Sequence, residues 1–272
     1  MIQDIGTRKL INHYEKRRPE VNDRLVIIED GKLLCRLETG TIVFPRIEKA
    51  GREEEYEYLF SVDDDHYFLY SGNERPQGYF FESVRGLNRA QVSDNESMLA
   101  AYTAFHLWRW YQDNRFCGRC GKLTVSKSDE RARVCPDCGN VIYPRINPAV
   151  IVGVTNGDKI LITRYAAGFR HNALVAGFTE IGETLEQTVE REVMEEAGLK
   201  VKNIRYYKSQ PWGIAQDILA GFYCDVDGDD TIKMDPSELK YAEWVERKDI
   251  ELQPTNFSLT NEMMRMFRDG KR

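Results

Sequence analysis

The stretch GFTEIGETLEQTVEREVMEEAGL occupies residues 177–199 and contains one helix together with the signals for both of its ends. Leu185, Val189, Val193 and Ala197 recur every fourth residue, which predicts a helix over 185–197 with one apolar face toward a core. Thr184 followed three residues later by Gln187 forms a capping box, and Gly198 stands where a helix terminates in the left-handed region. Glu192, Glu195 and Glu196 then fall at i, i+3 and i+4, so three carboxylates share one face. Anions held this close repel one another unless a cation sits among them. Hard divalent ions take oxygen ligands of this kind and bridge to phosphates, so the face reads as a metal site for phosphate chemistry.

In order, the stretch carries Gly177, Glu183, Arg191-Glu192, Val193, Glu195-Glu196 and Gly198-Leu199. It resembles the Nudix hydrolases, whose signature is G-x5-E-x7-R-E-U-x-E-E-x-G-U with U aliphatic, and no fixed position departs from it. A solvated acidic helix face is the bland alternative. Chance would then have to place glycines, arginine, glutamates and aliphatics all in register. The resemblance implies an α+β fold, an α/β/α sandwich around a mixed sheet, and Mg²⁺- or Mn²⁺-dependent hydrolysis of a nucleoside diphosphate linked to a further group. It assigns Glu192, Glu195 and Glu196 to the metal and Arg191 to an ion pair that holds the loop residue Glu183. Which carboxylate acts as general base varies across the family and stays open.

Upstream, Cys117-Gly118-Arg119-Cys120 and Cys135-Pro136-Asp137-Cys138 make two CxxC knuckles with fourteen residues between them. Four thiolates at this spacing suit one tetrahedral Zn²⁺ in a closed, structural site, with disulfides or a redox pair as the alternatives. Cys35 and Cys224 lie in apolar runs and read as core thiols.

A zinc ribbon directly before the 177–199 signature, with a further domain before the ribbon, resembles the NADH pyrophosphatases within the Nudix hydrolases. Tyr143-Pro144-Arg145 matches the Y-P-R that leads into the Nudix domain of that group. Ser209-Gln210-Pro211-Trp212 matches the start of its S-Q-P-W-P-F-P-x-S, but this chain continues Gly213-Ile214-Ala215-Gln216-Asp217. The resemblance assigns Phe178 and Tyr143 to clasping a base, Gln210, Trp212 and, loosely, Thr260 to substrate recognition, and Glu238 to the metal centre. It implies cleavage of NADH or NAD⁺ to nicotinamide mononucleotide and AMP by a homodimer whose first domain is a degenerate Nudix-like unit. The departure over 213–217 keeps other substrates open: FAD, ADP-ribose, a nucleoside sugar, or the NAD cap of an RNA. A nucleotide sensor is the non-enzymatic alternative, although all three metal glutamates are present.

Composition agrees. The chain has 272 residues and a formal net charge of −6, which argues against a general nucleic-acid binder. Residues 122–134 carry both signs of charge, which argues against a ribbon that serves as a nucleic-acid adaptor. No run of apolar residues is long enough to span a bilayer and no leader is evident, so the expectation is no membrane and a cytoplasmic location. Three segments are expected: a mainly β domain over 1–96, a linker helix and ribbon over 97–142, and the catalytic domain over 143–272. Within them, residues 1–16 read as a short helix, 98–111 as a connecting helix, 149–154 and 159–163 as a hairpin, 219–226 as a strand and 260–267 as a terminal helix. The acidic clusters 53–55 and 63–65 read as loops rather than metal sites, and the four histidines sit in no motif.

Overall fold

Short apolar runs punctuated by Gly, Asp and Asn become strands throughout the first third of the chain. The computed structural model describes residues 1–49, 51–87, 92–168 and 171–272. The chain divides into two units, one of Gln3–Arg145 with Gly213–Gln216, the other of Met1–Ile2, Ile146–Trp212 and Asp217–Arg272.

In the first unit the strands are β1 (Leu10–Ile11), β2 (Arg24–Val26), β3 (Ile28–Glu29), β4 (Lys32–Glu38), β5 (Thr41–Val43), β6 (Tyr56–Val62), β7 (Asp65–Tyr70) and β8 (Phe80–Ser83). They form one sheet in the order β1-β6-β7-β2 and a second in the order β3-β4-β5 with β8 on β4. A short helix α1 (Val84–Leu87) precedes the long α2 (Asn95–Asp113). Asp94 caps α2 by accepting from the Ser97 amide, and Met98, Ala101, Tyr102, Phe105 and Trp110 are buried along it. The ribbon closes the unit with β9 (Val125–Ser126), β10 (Arg133–Val134) and β11 (Val141–Ile142), ordered β11-β10-β9.

The amino-terminal helix expected over 1–16 does not form. Gly6 sits at φ 67°, and Leu10 and Ile11 pair instead with Val62 and Ser61, so a long-range ladder takes the place of a local turn. The acidic cluster Glu53–Glu55 is a single 3₁₀ turn, and Arg8 bridges to Asp63 at 3.1 Å and Asp65 at 2.9 Å.

The second unit is a six-stranded mixed sheet: β12 (Asn147–Asn156), β13 (Lys159–Tyr165), β14 (Val175–Phe178), β15 (Val201–Trp212), β16 (Asp217–Val226) and β17 (Leu239–Glu246). The order is β15-β16-β12-β13-β17, with β12 parallel to β16 and every other pairing antiparallel. One edge of β12 is shared: residues 149–152 pair with β14, and 155–156 turn into β13. Helices α3 (Leu185–Ala197) and α4 (Leu259–Arg268) complete the unit.

Alternation along the strands assigns the two faces. Val150, Val152, Val154, Leu161, Ala220 and Phe222 face Val189, Val193 and Ala197 of α3. Ala149, Ile151, Ile160, Ile162, Leu219 and Tyr223 face Leu259, Met263, Met264 and Phe267 of α4. The result is an α/β/α sandwich in which α3 is held against the strands that carry residues 175–178. Among the described residues no helix is long and apolar enough to cross a membrane.

Candidate active site

Local chemistry sets both ends of α3. Thr184 Oγ1 accepts from the Gln187 amide at 3.2 Å while Gln187 Oε1 accepts from the Thr184 amide at 2.9 Å, the reciprocal capping box. Gly198 lies at φ 67° and its amide closes the helix on the Met194 carbonyl. With Val189 and Val193 anchored in the core, the neighbouring turn directs glutamates to the rim. Glu196 is 1% exposed and Glu192 8%, whereas the Glu195 side chain is 61% exposed.

Arg191 organises this rim. Its Nε and Nη2 donate to the two oxygens of Glu183 at 2.6 and 3.0 Å, and Nη2 also donates to the Phe178 carbonyl at 2.8 Å. Nη1 reaches Glu192 at 2.7 Å and Glu195 at 3.0 Å. The guanidinium, with the Glu180 amide and the Thr188 hydroxyl, holds the Glu183 carboxyl down at about 2. Glu183 is therefore a fixed anion that takes no proton near neutrality.

Glu192 and Glu196 are in the opposite condition. Burial pushes Glu192 up against the pull of Arg191. Burial drives Glu196 up to about 8, opposed by the Ala176 amide and reinforced by repulsion from Glu192, Glu238 and Asp235. Glu196 Oε2 is buried without a hydrogen-bond partner. A buried carboxylate oxygen left unpartnered among other carboxylates fits a hard divalent cation, which would relieve both penalties.

Gly177 makes room for this arrangement. A Cβ there would stand 1.9 Å from the Glu192 carboxylate carbon, so β14 can approach α3 only at a residue with no side chain. Gly177→Ala should displace the carboxylate rather than the backbone. We expect a loss in kcat on the order of a hundredfold with little change in Tm, because ångström misplacement of a reacting group costs about that much. Steady-state kinetics beside a thermal melt checks it.

The ribbon is built from two like turns. The Cys117 amide donates to Lys122 O at 2.7 Å and the Gly121 amide to Cys117 O at 2.8 Å; Cys135 with Asn140 and Gly139 with Cys135 repeat the pattern at 2.9 and 3.0 Å. The four Sγ atoms lie within 4.8 Å of one another, with Cys117–Cys138 at 3.6 Å and Cys120–Cys135 at 3.4 Å. A tetrahedral zinc thiolate site has S···S of about 3.8 Å and a disulfide about 2.05 Å, so the geometry fits zinc. Cys35 and Cys224 are buried, with thiols pushed up to about 12 by burial.

Residues 145–267 match the NUDIX domain family and residues 112–143 match the NADH pyrophosphatase zinc ribbon domain. The chain carries a Nudix domain behind a zinc ribbon. Among curated proteins it is 42% identical over 170 residues to the NAD-capped RNA hydrolase NudC of Enterobacter sp. (strain 638), covering 60% of this chain and 64% of that protein. It is 40% identical over 170 residues to the protein of the same description from Salmonella typhi, covering 60% and 65%. The chain thus spans a little under two thirds of the length of these relatives. A crystal structure of a NUDIX hydrolase from Nitrosomonas europaea superposes with a TM-score of 0.50 at 23% identity, covering 57% of this chain and 91% of that one, a likeness of fold.

The remaining candidates sit unevenly. On the Nudix domain, Phe178 is 51% exposed directly beside the Arg191 contact, a ring open to solvent at the end of β14. Glu238 is exposed and acts electrostatically on Glu192 and Glu196. Gln210 is fully buried, its Nε2 donating to Phe257 O and its Oε1 accepting from the Leu259 amide, both at 2.7 Å. Its amide ties β15 to the start of α4 instead of facing solvent. Trp212 is half-buried against the α4-side core, and Thr260 is half-buried in the first turn of α4. Tyr143 belongs to the other unit, 57% exposed, with its hydroxyl donating to Glu130 at 3.1 Å. Tyr165 escaped the sequence reading. Its phenol is pushed up by burial and by the charges of Glu196, Glu192 and Glu238. No sequence signal marks it, since a strand-end tyrosine is commonplace.

Proposed function

We propose that this protein hydrolyses the pyrophosphate bond of NADH or NAD⁺, releasing nicotinamide mononucleotide and AMP. The observation that carries the proposal is the buried pair Glu192 and Glu196, one oxygen unpartnered, on a helix whose rim is braced by Arg191 and Glu183. The ribbon of NADH pyrophosphatase type and relatives described as NAD-capped RNA hydrolases support the dinucleotide. Glu192, Glu195 and Glu196, with Glu238 near them, would hold Mg²⁺ or Mn²⁺, which when bound withdraws charge from the phosphates and makes water a better nucleophile. Arg191 fixes the rim by spanning Glu183, Glu192 and Glu195. Glu183, already saturated by Arg191, orients and does not accept the proton of water. Phe178 offers an exposed ring for stacking on a base, and Tyr143, exposed on the first unit, is by itself a ring of the same kind. Gln210 serves the recognition segment by holding its backbone, with Trp212 and Thr260 flanking it. Zinc on Cys117, Cys120, Cys135 and Cys138 has a structural role. A homodimer in the cytoplasm belongs to the same proposal.

A second reading, removal of the NAD cap from RNA, is favoured by the description of the relatives. Comparing kcat/KM with Mg²⁺ or Mn²⁺ across NADH, NAD⁺, NAD-capped RNA, FAD and ADP-ribose tests both readings. The proposal expects the nicotinamide dinucleotides, free or as a cap, to lead. FAD or ADP-ribose at the head of the series would move specificity to the Gly213–Asp217 segment and defeat it.

A further inference from the structure

The ribbon carries positive charge that the structure leaves uncompensated, and among the described residues it lies on the first knuckle. Residues 114–128 contain Arg115, Arg119, Lys122 and Lys127 and no acidic residue, in a chain of net charge −6. Lys127 is neutralised by Asp129 at 3.0 Å and Glu130 at 2.6 Å. Arg131 and Arg133 are spent within the unit, on Leu59 O and on Thr124 and Ser126. The charges from Lys127 to Arg133 are therefore satisfied within the unit. Arg115, Arg119 and Lys122 are exposed, and among the described residues none of them forms an ion pair. Between them Phe116 and Leu123 are cross-strand partners on an isolated bridge, 58% and 60% exposed, with Val125 at 50% beyond.

Three unpaired cations around an exposed aromatic–aliphatic pair match a single-stranded nucleic acid, whose phosphates take the cations and whose bases stack on rings. A zinc tetrathiolate centre is formally dianionic and attracts cations; the hydrogen bonds to Cys117 Sγ nevertheless come from the Arg119 amide and the Asn140 side chain. We infer that the first knuckle, through Arg115, Phe116, Arg119, Lys122 and Leu123, is a docking surface for the RNA chain that follows an NAD cap. The inference rests on the decapping reading above and adds where the RNA body is held.

The test uses the full-length, zinc-loaded protein and an uncapped single-stranded RNA oligonucleotide, with binding followed by fluorescence anisotropy over a salt series. The triple variant Arg115→Gln, Arg119→Gln, Lys122→Gln should bind about tenfold more weakly, with a salt slope shallower by about 2, since each single-strand phosphate contact contributes about 0.7. Its NADH turnover and zinc content should stay unchanged. Arg115→Lys with Arg119→Lys should keep the affinity, and Phe116→Ala should weaken binding without altering the salt slope. Unchanged RNA affinity in the triple variant would overturn the inference. So would loss of zinc or a changed oligomeric state in place of a changed RNA affinity, which would assign the cations to the metal centre or to a second copy. Failure of the decapping reading is separately visible, as absent turnover of NAD-capped RNA by the unmodified protein.

Discussion

Glu196→Gln is expected to abolish turnover while making the metal-free protein more stable at pH 8. The first half follows from removing a metal-binding anion from the centre of the rim. Metal stabilisation of charge in the transition state is worth several kcal/mol, and about 1.36 kcal/mol corresponds to a factor of ten, so the loss is about a thousandfold or more. The second half follows from linkage. The Glu196 carboxyl goes from an ordinary 4.5 to about 8 on folding. Below pH 4.5 it is protonated in both folded and unfolded chains and destabilises nothing. As the pH climbs toward 8 the unfolded chain ionises while the folded one still holds its proton, so stability is lost across that window. At about 1.36 kcal/mol per tenfold change in acidity the loss is on the order of 5 kcal/mol, and Gln, which never ionises, escapes it. Thermal melts in chelator should show the variant above the unmodified protein near pH 8 and level with it near pH 4.5. Added Mg²⁺ should raise the melting temperature of the unmodified protein only, because ligand stabilisation requires the site. A variant that keeps turnover, or that melts lower in chelator at alkaline pH, contradicts the role given to this carboxylate.

Zinc removal carries the second large effect, on stability. The ribbon has strands of two residues each and two tight turns, which bury too little apolar surface to stand alone. Structural zinc contributes about 10–16 kcal/mol to small domains of this sort, so stripping it should melt residues 114–142. Cys135→Ser should act in the same way, since Cys135 is wholly buried at the centre of the second knuckle. Hydrogen exchange should lose protection at the Cys117, Gly121, Cys135 and Gly139 amides while the Nudix sheet stays protected. If activity follows added Zn²⁺ while those amides remain protected, the site takes part in the chemistry and the structural assignment fails.

What the sequence disclosed is what is decided locally. Helix α3 was legible to the residue, because its apolar repeat, its capping box and Gly198 all lie within one stretch. The knuckles were legible for the same reason. Local pattern predicts a helix over residues 1–16 and fails there because Leu10 and Ile11 answer to Val62 and Ser61, partners that no local pattern reveals. The motif around Gln210 implies a substrate contact, whereas its burial and its bonds to Phe257 and Leu259 depend on how α4 closes over β15. Gly177 is a position of the motif, but its physical reason, the Glu192 carboxylate lying where a Cβ would be, needs the β14–α3 approach. The pairing state of Arg115, Arg119 and Lys122 is likewise tertiary.

The measurement that bears most directly on the central claim is chromatographic identification of the products formed from NADH with Mg²⁺. AMP and reduced nicotinamide mononucleotide are expected in equal amounts, lost together in Glu196→Gln. Free nicotinamide with an ADP-ribose product, or NADH bound but recovered intact, would contradict it.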